Sequence, residues 1–238
     1  DGEELPLVPG LLGGPPAPPA GRTLRIVSGS AASDAARARF TAGERNGDFS
    51  SEGRDAEFDL EFDLGIVPGA GSAARAVDLL AERVAGMDPS WQVINASISG
   101  ETTGGGLARL PDSLETHDPD VLIIELGGND ALRGYPIVRI RENILDMVEL
   151  GLEARSRVLL IGMQIPPNYG PRYTQEFSSL FRTVSDQTQV PLVPFILEPV
   201  ALTPELMQSD GIHPTAEAQP IMLETVWSHL EPLLTPSS

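Results

Sequence analysis

The sequence predicts an α/β fold: a parallel sheet with helices on both faces. Short apolar runs alternate along the chain with longer segments of helical periodicity, which is the rhythm of repeated βαβ units. The runs are almost continuously apolar, as strands buried on both sides must be. Gly and Pro punctuate the chain around them, and that punctuation, with their shortness, favours strands over pieces of buried helix.

Residues 1–21 are rich in Pro and Gly (GLLGGPPAPPAG) and lack periodicity, so they read as a flexible arm preceding a single domain over 22–238. Five runs then read as strands: TLRIV (23–27), QVINAS (92–97), VLIIEL (121–126), RVLLIGM (157–163) and VPLVPF (190–195). Apolar residues three and four apart predict amphipathic helices over 73–87, 138–154 and 171–187, and a last helix over 216–233 closes the chain. A further helix is expected to start near the glycine run 104–106.

Residues 34–70 break the rhythm. Within them EFDLEFDLGIV (57–67) alternates strictly, with Phe58, Leu60, Phe62 and Leu64 on one side and Glu57, Asp59, Glu61 and Asp63 on the other. Period two means a strand with one apolar and one acidic face. The acidic row supplies hard oxygen ligands of the kind Ca²⁺ takes. It equally reads as an edge strand whose carboxylates block sheet-to-sheet association.

Composition narrows the function classes. The 238 residues are 41% hydrophobic and carry a net charge of −18; all 16 basic residues are Arg. Such a surface repels phosphate backbones and anionic lipid, which argues against nucleic-acid partners. No apolar run approaches the roughly 18 residues a membrane span needs. Cysteine is absent, which removes thiolate nucleophiles, disulfides and Cys-ligated metals.

Three segments carry chemistry. In SDGIHP (209–214), Asp210 stands three residues before His213. A carboxylate there can accept from Nδ1–H, fixing the tautomer that lets Nε2 take a proton from a hydroxyl; a helix-capping Asp beside an exposed His is the plainer reading. In ELGGND (125–130), Asn129 follows two glycines at a strand's carboxyl end. Ligands of open parallel sheets bind there, and a side-chain amide can donate to a developing oxyanion; a simple turn is the alternative. In NASISGETTGGGLARLP (95–111), Gly100 offers a backbone N–H at the same rim. The run Gly104–Gly106 lacks the spacing and the Lys of a phosphate-binding loop.

Taken together, WQVINASISGETTGGGLARLP, VLIIELGGNDALRGY, MQIPPNYGPRY and SDGIHPTAEAQP resemble the SGNH (GDSL-type) hydrolases, in particular the bacterial group of thioesterase I, lysophospholipase L1 and arylesterase enzymes. The resemblance implies a three-layer α/β/α sandwich on a five-stranded, flavodoxin-like parallel sheet, and a serine esterase that needs no metal or organic cofactor. It implies a triad of Ser30, Asp210 and His213, with the oxyanion held by the N–H groups of Ser30 and Gly100 and the side chain of Asn129. It likens residues 130–135 to a mobile substrate loop and 163–173 to an acyl-pocket wall, which nominates Leu132, Ile165, Pro166 and Tyr169.

The first block departs from that pattern. The family reads Gly-Asp-Ser-Leu after its first strand; here LRIV is followed by Ser28, Gly29, Ser30 and Ala31. Ser30 falls on the nucleophile, with Ser28, Ser33 and the Ser50 of GDFS (47–50) as rivals. The departure also leaves room for a non-catalytic acyl- or ester-binding protein on the same fold. The expected partner is a small-molecule acyl ester, short and neutral in view of the negative surface, with no stable membrane insertion; the sequence does not choose an oligomeric state. Residues 34–70 would form a lid or flank. The chain starts at Asp1 without Met, which fits a trimmed bacterial protein, periplasmic or secreted, with a cytoplasmic one not excluded.

Overall fold

The computed structural model describes residues 22–28, 73–98, 100–209 and 214–235. The arm before residue 22 and the segment 34–70 lie outside the described residues. Five parallel strands run in the order β2-β1-β3-β4-β5. They are β1 (Arg22–Ser28), β2 (Trp91–Asn95), β3 (Val121–Glu125), β4 (Arg157–Ile161) and β5 (Leu192–Val193). All five fall where the apolar runs predict. The last is the shortest because Pro191 and Pro194 flank it and offer no N–H to a ladder. Every residue of β3 is buried, in keeping with its central place; four are apolar and the fifth is Glu125.

The helices are α1 (Ala73–Met87), α2 (Thr103–His117), α3 (Gly128–Leu132), α4 (Ile137–Glu153), α5 (Pro171–Thr188) and α6 (Gln219–Leu234). α1 packs on α6, while α4 packs between α2 and α5. The sheet thus lies between two helical layers, as the alternating pattern predicts. Arg83 of α1 stacks over the Trp227 ring of α6 at 4.2 Å and pairs with Glu224, so a cation closes the seam of the two-helix layer. No described helix is long and apolar enough to cross a membrane.

Strand order decides where a ligand can bind. The chain moves from β1 outward to β2, then returns past β1 to lay β3 on its other side. α1, which follows β1, and α4, which follows β3, therefore lie in opposite layers, the arrangement that leaves a crevice at the strands' carboxyl ends. Register brings Ser28, the last residue of β1, opposite Glu125, the last of β3.

A buried polar network fixes the elements around that crevice. The first N–H groups of a helix lack partners within it. In α2 the Thr103 N–H donates to Asp130 Oδ2 at 2.8 Å and the Thr103 hydroxyl to Asp130 Oδ1 at 2.6 Å. Asn143 of α4 donates to the same hydroxyl at 2.9 Å, and Thr102 caps the Gly105 N–H. One carboxylate thus joins α2 to α3, and Thr103 passes the tie to α4. Burial raises the Asp130 carboxyl above its ordinary range, while the Thr103 hydroxyl and N–H draw it partly back.

The glycine run has a packing role. A Cβ on Gly106 would come within 2.3 Å of Leu126 Cδ1, and one on Gly105 within 1.8 Å of Glu101 Oε1. The helix begins at Thr103, as expected near this run, but the glycines serve close approach rather than flexibility.

Two outcomes follow from this packing. Gly106→Ala should cost about 1–3 kcal/mol of stability by overpacking against Leu126, read as a shift of the urea midpoint. Thr103→Val removes a donor to Asp130, and its cost should depend on pH. Folding raises the Asp130 value, so this group's contribution to stability is complete below the unfolded value and is lost as pH rises through the folded one. The hydroxyl offsets that loss by favouring the ionised form. The valine variant should lose about 1.5–3 kcal/mol at a pH above the folded Asp130 value, where the bond is charge-assisted, and about 0.5–1.5 at a pH below the unfolded one. Equal losses by denaturant melts at both pH values would contradict the role assigned to the carboxylate.

Candidate active site

The site is built on the loops that leave the carboxyl ends of β2 and β3. After β3 the chain turns at Gly127, whose φ of 116° favours glycine. α3 then starts at once, and its Ala131 N–H returns to the Gly127 carbonyl at 2.9 Å. Asn129 therefore stands in the first turn of a short helix, where the sequence alone allowed a plain turn. It is 2% exposed, and its Nδ2 donates to the Glu101 carbonyl at 3.2 Å.

Gly100 lies on the neighbouring loop after β2. Its φ is 66°, the left-handed conformation for which glycine is best suited, and the next residue, Glu101, returns its N–H to the Ile98 carbonyl at 3.2 Å. Gly100 and Asn129, nominated from separate segments, are thus brought together: the side chain of one binds the residue that follows the other.

Two carboxylates at the start of α2 hold this arrangement. Glu101 Oε1 accepts from the Thr102 N–H at 3.1 Å and Oε2 from Arg109 Nε at 3.0 Å; Asp130 takes the Thr103 N–H. Both acids sit where the partial positive charge of a helix N-terminus favours them. Sequence reasoning assigned no role to Glu101, Thr103 or Arg109, and counted Asp130 only as the start of the substrate loop 130–135, whereas it is buried in α3. The available signal was a Glu directly before a Thr-Thr cap with an Arg eight residues on, two helical turns away.

The nominated pocket residues fall in different places. Ile165 and Pro166 line a cavity of about 410 Å³ with Phe195, Leu197, Leu202 and Met207. Leu202, at its edge, is 94% exposed. Tyr169 lines a second hollow of about 320 Å³ with Arg172, Tyr173 and Glu176. Leu132 is buried in α3 and its carbonyl accepts from the Tyr169 hydroxyl at 3.2 Å. The Tyr173 hydroxyl donates to the Tyr135 carbonyl at 2.7 Å. Two tyrosines thus strap the 132–135 loop to the segment opposite. Burial pushes the Tyr173 hydroxyl up to about 12, helped by the charges of Asp130 and Tyr169.

Ser30, Asp210 and His213 lie outside the described residues, as do the rivals Ser33 and Ser50 and the acidic row 57–63. The chain around the Asp–His segment is described: Met207 and Pro214 pair antiparallel, and the Thr215 N–H returns to the Leu206 carbonyl at 2.8 Å. Among the described residues no group of three or more His, Asp or Glu could hold a metal ion.

Residues 52–220 match the model of the GDSL-like lipase/acylhydrolase family, a span that begins beyond Ser30 and includes Gly100, Asn129, Asp210 and His213. The chain is 48% identical over 158 residues to the esterase TesA of Pseudomonas aeruginosa, covering 66% of this chain and 79% of that protein. It is 47% identical over 138 residues to an arylesterase of Vibrio mimicus, covering 58% and 69%. A crystal structure of TesA superposes with a TM-score of 0.68 at 38% identity, covering 89% of this chain and 99% of that one. With four of its five strands and the loops after β2 and β3 inside the matched span, the chain belongs to the GDSL-like lipase/acylhydrolase family.

Proposed function

We propose that the crevice at the β1/β3 switch point is the acyl-transfer site of a serine carboxylic ester hydrolase, with Ser30 as its nucleophile. Ester hydrolysis is supported by the family and by relatives that are named esterase and arylesterase. One observation carries the placement. The Asn129 amide and the Gly100 loop, from the ends of two different strands, meet at one rim through the bond to the Glu101 carbonyl. A developing oxyanion requires amide donors brought to one place.

Ser30 follows the last residue of β1 by two positions in the chain, which supports it over Ser50, whose GDFS no apolar run precedes. In the proposed cycle His213 Nε2 takes the Ser30 hydroxyl proton as Oγ bonds to the acyl carbon. The carbonyl's π electrons move onto its oxygen, which the N–H groups of Ser30 and Gly100 and the Asn129 Nδ2 stabilise. Asp210 holds His213 Nδ1–H and supports the imidazolium. Collapse breaks the bond to the leaving alcohol, which takes the proton from His213. Water then repeats the sequence on the acyl-enzyme and releases the acid.

The apolar cavity beside Ile165 and Pro166 supports short- to medium-chain acyl groups, and the −18 charge favours neutral esters over acyl-CoA. Aryl esters are the preferred class, with thioesters and lysophospholipids as further candidates.

A fluorophosphonate probe, with mass spectrometry of the labelled peptide, tests the nucleophile. The label should fall on the peptide holding Ser30 and be absent from Ser30→Ala. On p-nitrophenyl esters from acetate to octanoate that variant should lose at least about 1000-fold in kcat. Labelling elsewhere would move the nucleophile; no labelling with no turnover would favour the non-catalytic binder.

A further inference from the structure

The placement of Asn129 depends on its acceptor. An amide NH₂ carries two N–H bonds. With one directed to the Glu101 carbonyl at 3.2 Å, the plane of the amide and the direction of the other are set. Glu101 is held in turn by its own side chain. Arg109 Nε donates to Oε2 at 3.0 Å, and the pair is largely buried, at 21% and 14% exposure. The same guanidinium donates through Nη1 to the Ala96 carbonyl at 2.7 Å, just past the end of β2. The carboxylate lies over the first turn of α2, on the Thr102 N–H, in space that only a glycine at position 105 leaves. Arg109 therefore ties the exit of β2 to the loop whose carbonyl orients Asn129.

We infer that Arg109, acting through Glu101, is a positioning residue for the oxyanion site: the pair holds the carbonyl that aims the Asn129 amide. The inference rests on the reading of Asn129 as an oxyanion donor. Arg109 acts through Glu101 and the Ala96 carbonyl, and its side chain is anchored about two helical turns into α2. Lys cannot replace it fully, because one ammonium lacks the planar fork that serves two acceptors in fixed directions. Displacing a catalytic group by about 1 Å can cost about 100-fold, so the geometry of this pair bears on rate rather than on substrate affinity.

A mutant cycle on p-nitrophenyl butyrate tests this with Arg109→Gln, Asn129→Ala and the double variant. Asn129→Ala should lower kcat about 100- to 1000-fold. Arg109→Gln should lower kcat about 10- to 100-fold with KM within about twofold. In the Asn129→Ala background the same substitution should cost at least fivefold less, on the order of a few-fold, because the amide it aims is gone. Arg109→Lys should fall between wild type and Arg109→Gln. Glu101→Gln supplies an independent variant should Arg109→Gln fail to fold, and its kcat loss should shrink in the same background. An unchanged kcat, a loss confined to KM, or equal losses in both backgrounds would overturn the positioning role while leaving the oxyanion reading intact. A wild-type kcat in Asn129→Ala would remove the oxyanion reading, and the positioning role with it.

Discussion

The first turn of α2 must find acceptors for its N–H groups, and it finds two carboxylates from different parts of the chain. Glu101 receives the Thr102 N–H from the residue before it, and Asp130 receives the Thr103 N–H and hydroxyl across the crevice. A helix cap is ordinarily local and contributes about 1 kcal/mol. Here the local cap from Thr102 to the Gly105 N–H is joined by a tertiary one from Asp130 to the Thr103 N–H. Satisfying α2 requires α3 to approach it, and α3 carries Asn129, so the geometry of the proposed donor follows from a need of the backbone. Thr103 extends the constraint to Asn143 of α4. Thr103 and Asp130 are buried and Asn143 is half-buried, so removing one leaves polar partners with little access to water, which is why such networks define a single arrangement.

The glycines follow from the same constraint. A carboxylate can fold over the first turn only if that turn is bare, and Gly105 leaves it so; Gly106 lets α2 lie against Leu126 at the end of β3. Leu126 and Gly127 then lead into α3. Close contact of α2 with Leu126, just past β3, and close contact of α2 with α3 are thus adjacent parts of one packing problem, solved with two consecutive residues that carry no side chain. A reading of the glycines as a phosphate cradle is excluded by what stands over the helix: two acids already occupy the place an anion would take, and their charges would repel it.

Most of the fold was legible in the sequence because its determinants are periodic. The five strands announce themselves as apolar runs of the right length, and α1, α4 and α5 lie within a residue or so of the ends their periodicity predicts. What was not legible is the joining of elements. α3 is a single short turn of helix, too brief for any period to emerge, and GGND reads equally well as a turn. α6 begins at Gln219, after the expected start near 216, because Ala216–Ala218 forms a tighter 3₁₀ turn before it. At the site, Gly100 and Asn129 stand out through their neighbours at strand ends. Glu101, Arg109 and Asp130 do not, since a charged residue in an acidic chain of 34 Asp and Glu carries no mark of burial until the tertiary partner is known.

The altered first block is compatible with this division of labour. Asp210 and His213 come from the segment between Met207 and Pro214, and Gly100 and Asn129 from the loops after β2 and β3; of the proposed groups only the hydroxyl and N–H of Ser30 belong to the block that departs. β1 has to supply a strand between β2 and β3, and it does so over its full length, with Arg22–Ile26 paired to β2 and Leu24–Ser28 to β3. Central strands are held on both edges, so their register is fixed by two ladders rather than by the residues that follow them. The Gly-Asp lettering expected before the nucleophile can therefore change to Ser28-Gly29 without disturbing the pairing that brings the end of β1 beside the end of β3. The residue that departs from the family pattern and the residues that build the crevice answer to different constraints, and only the second set is fixed by the sheet.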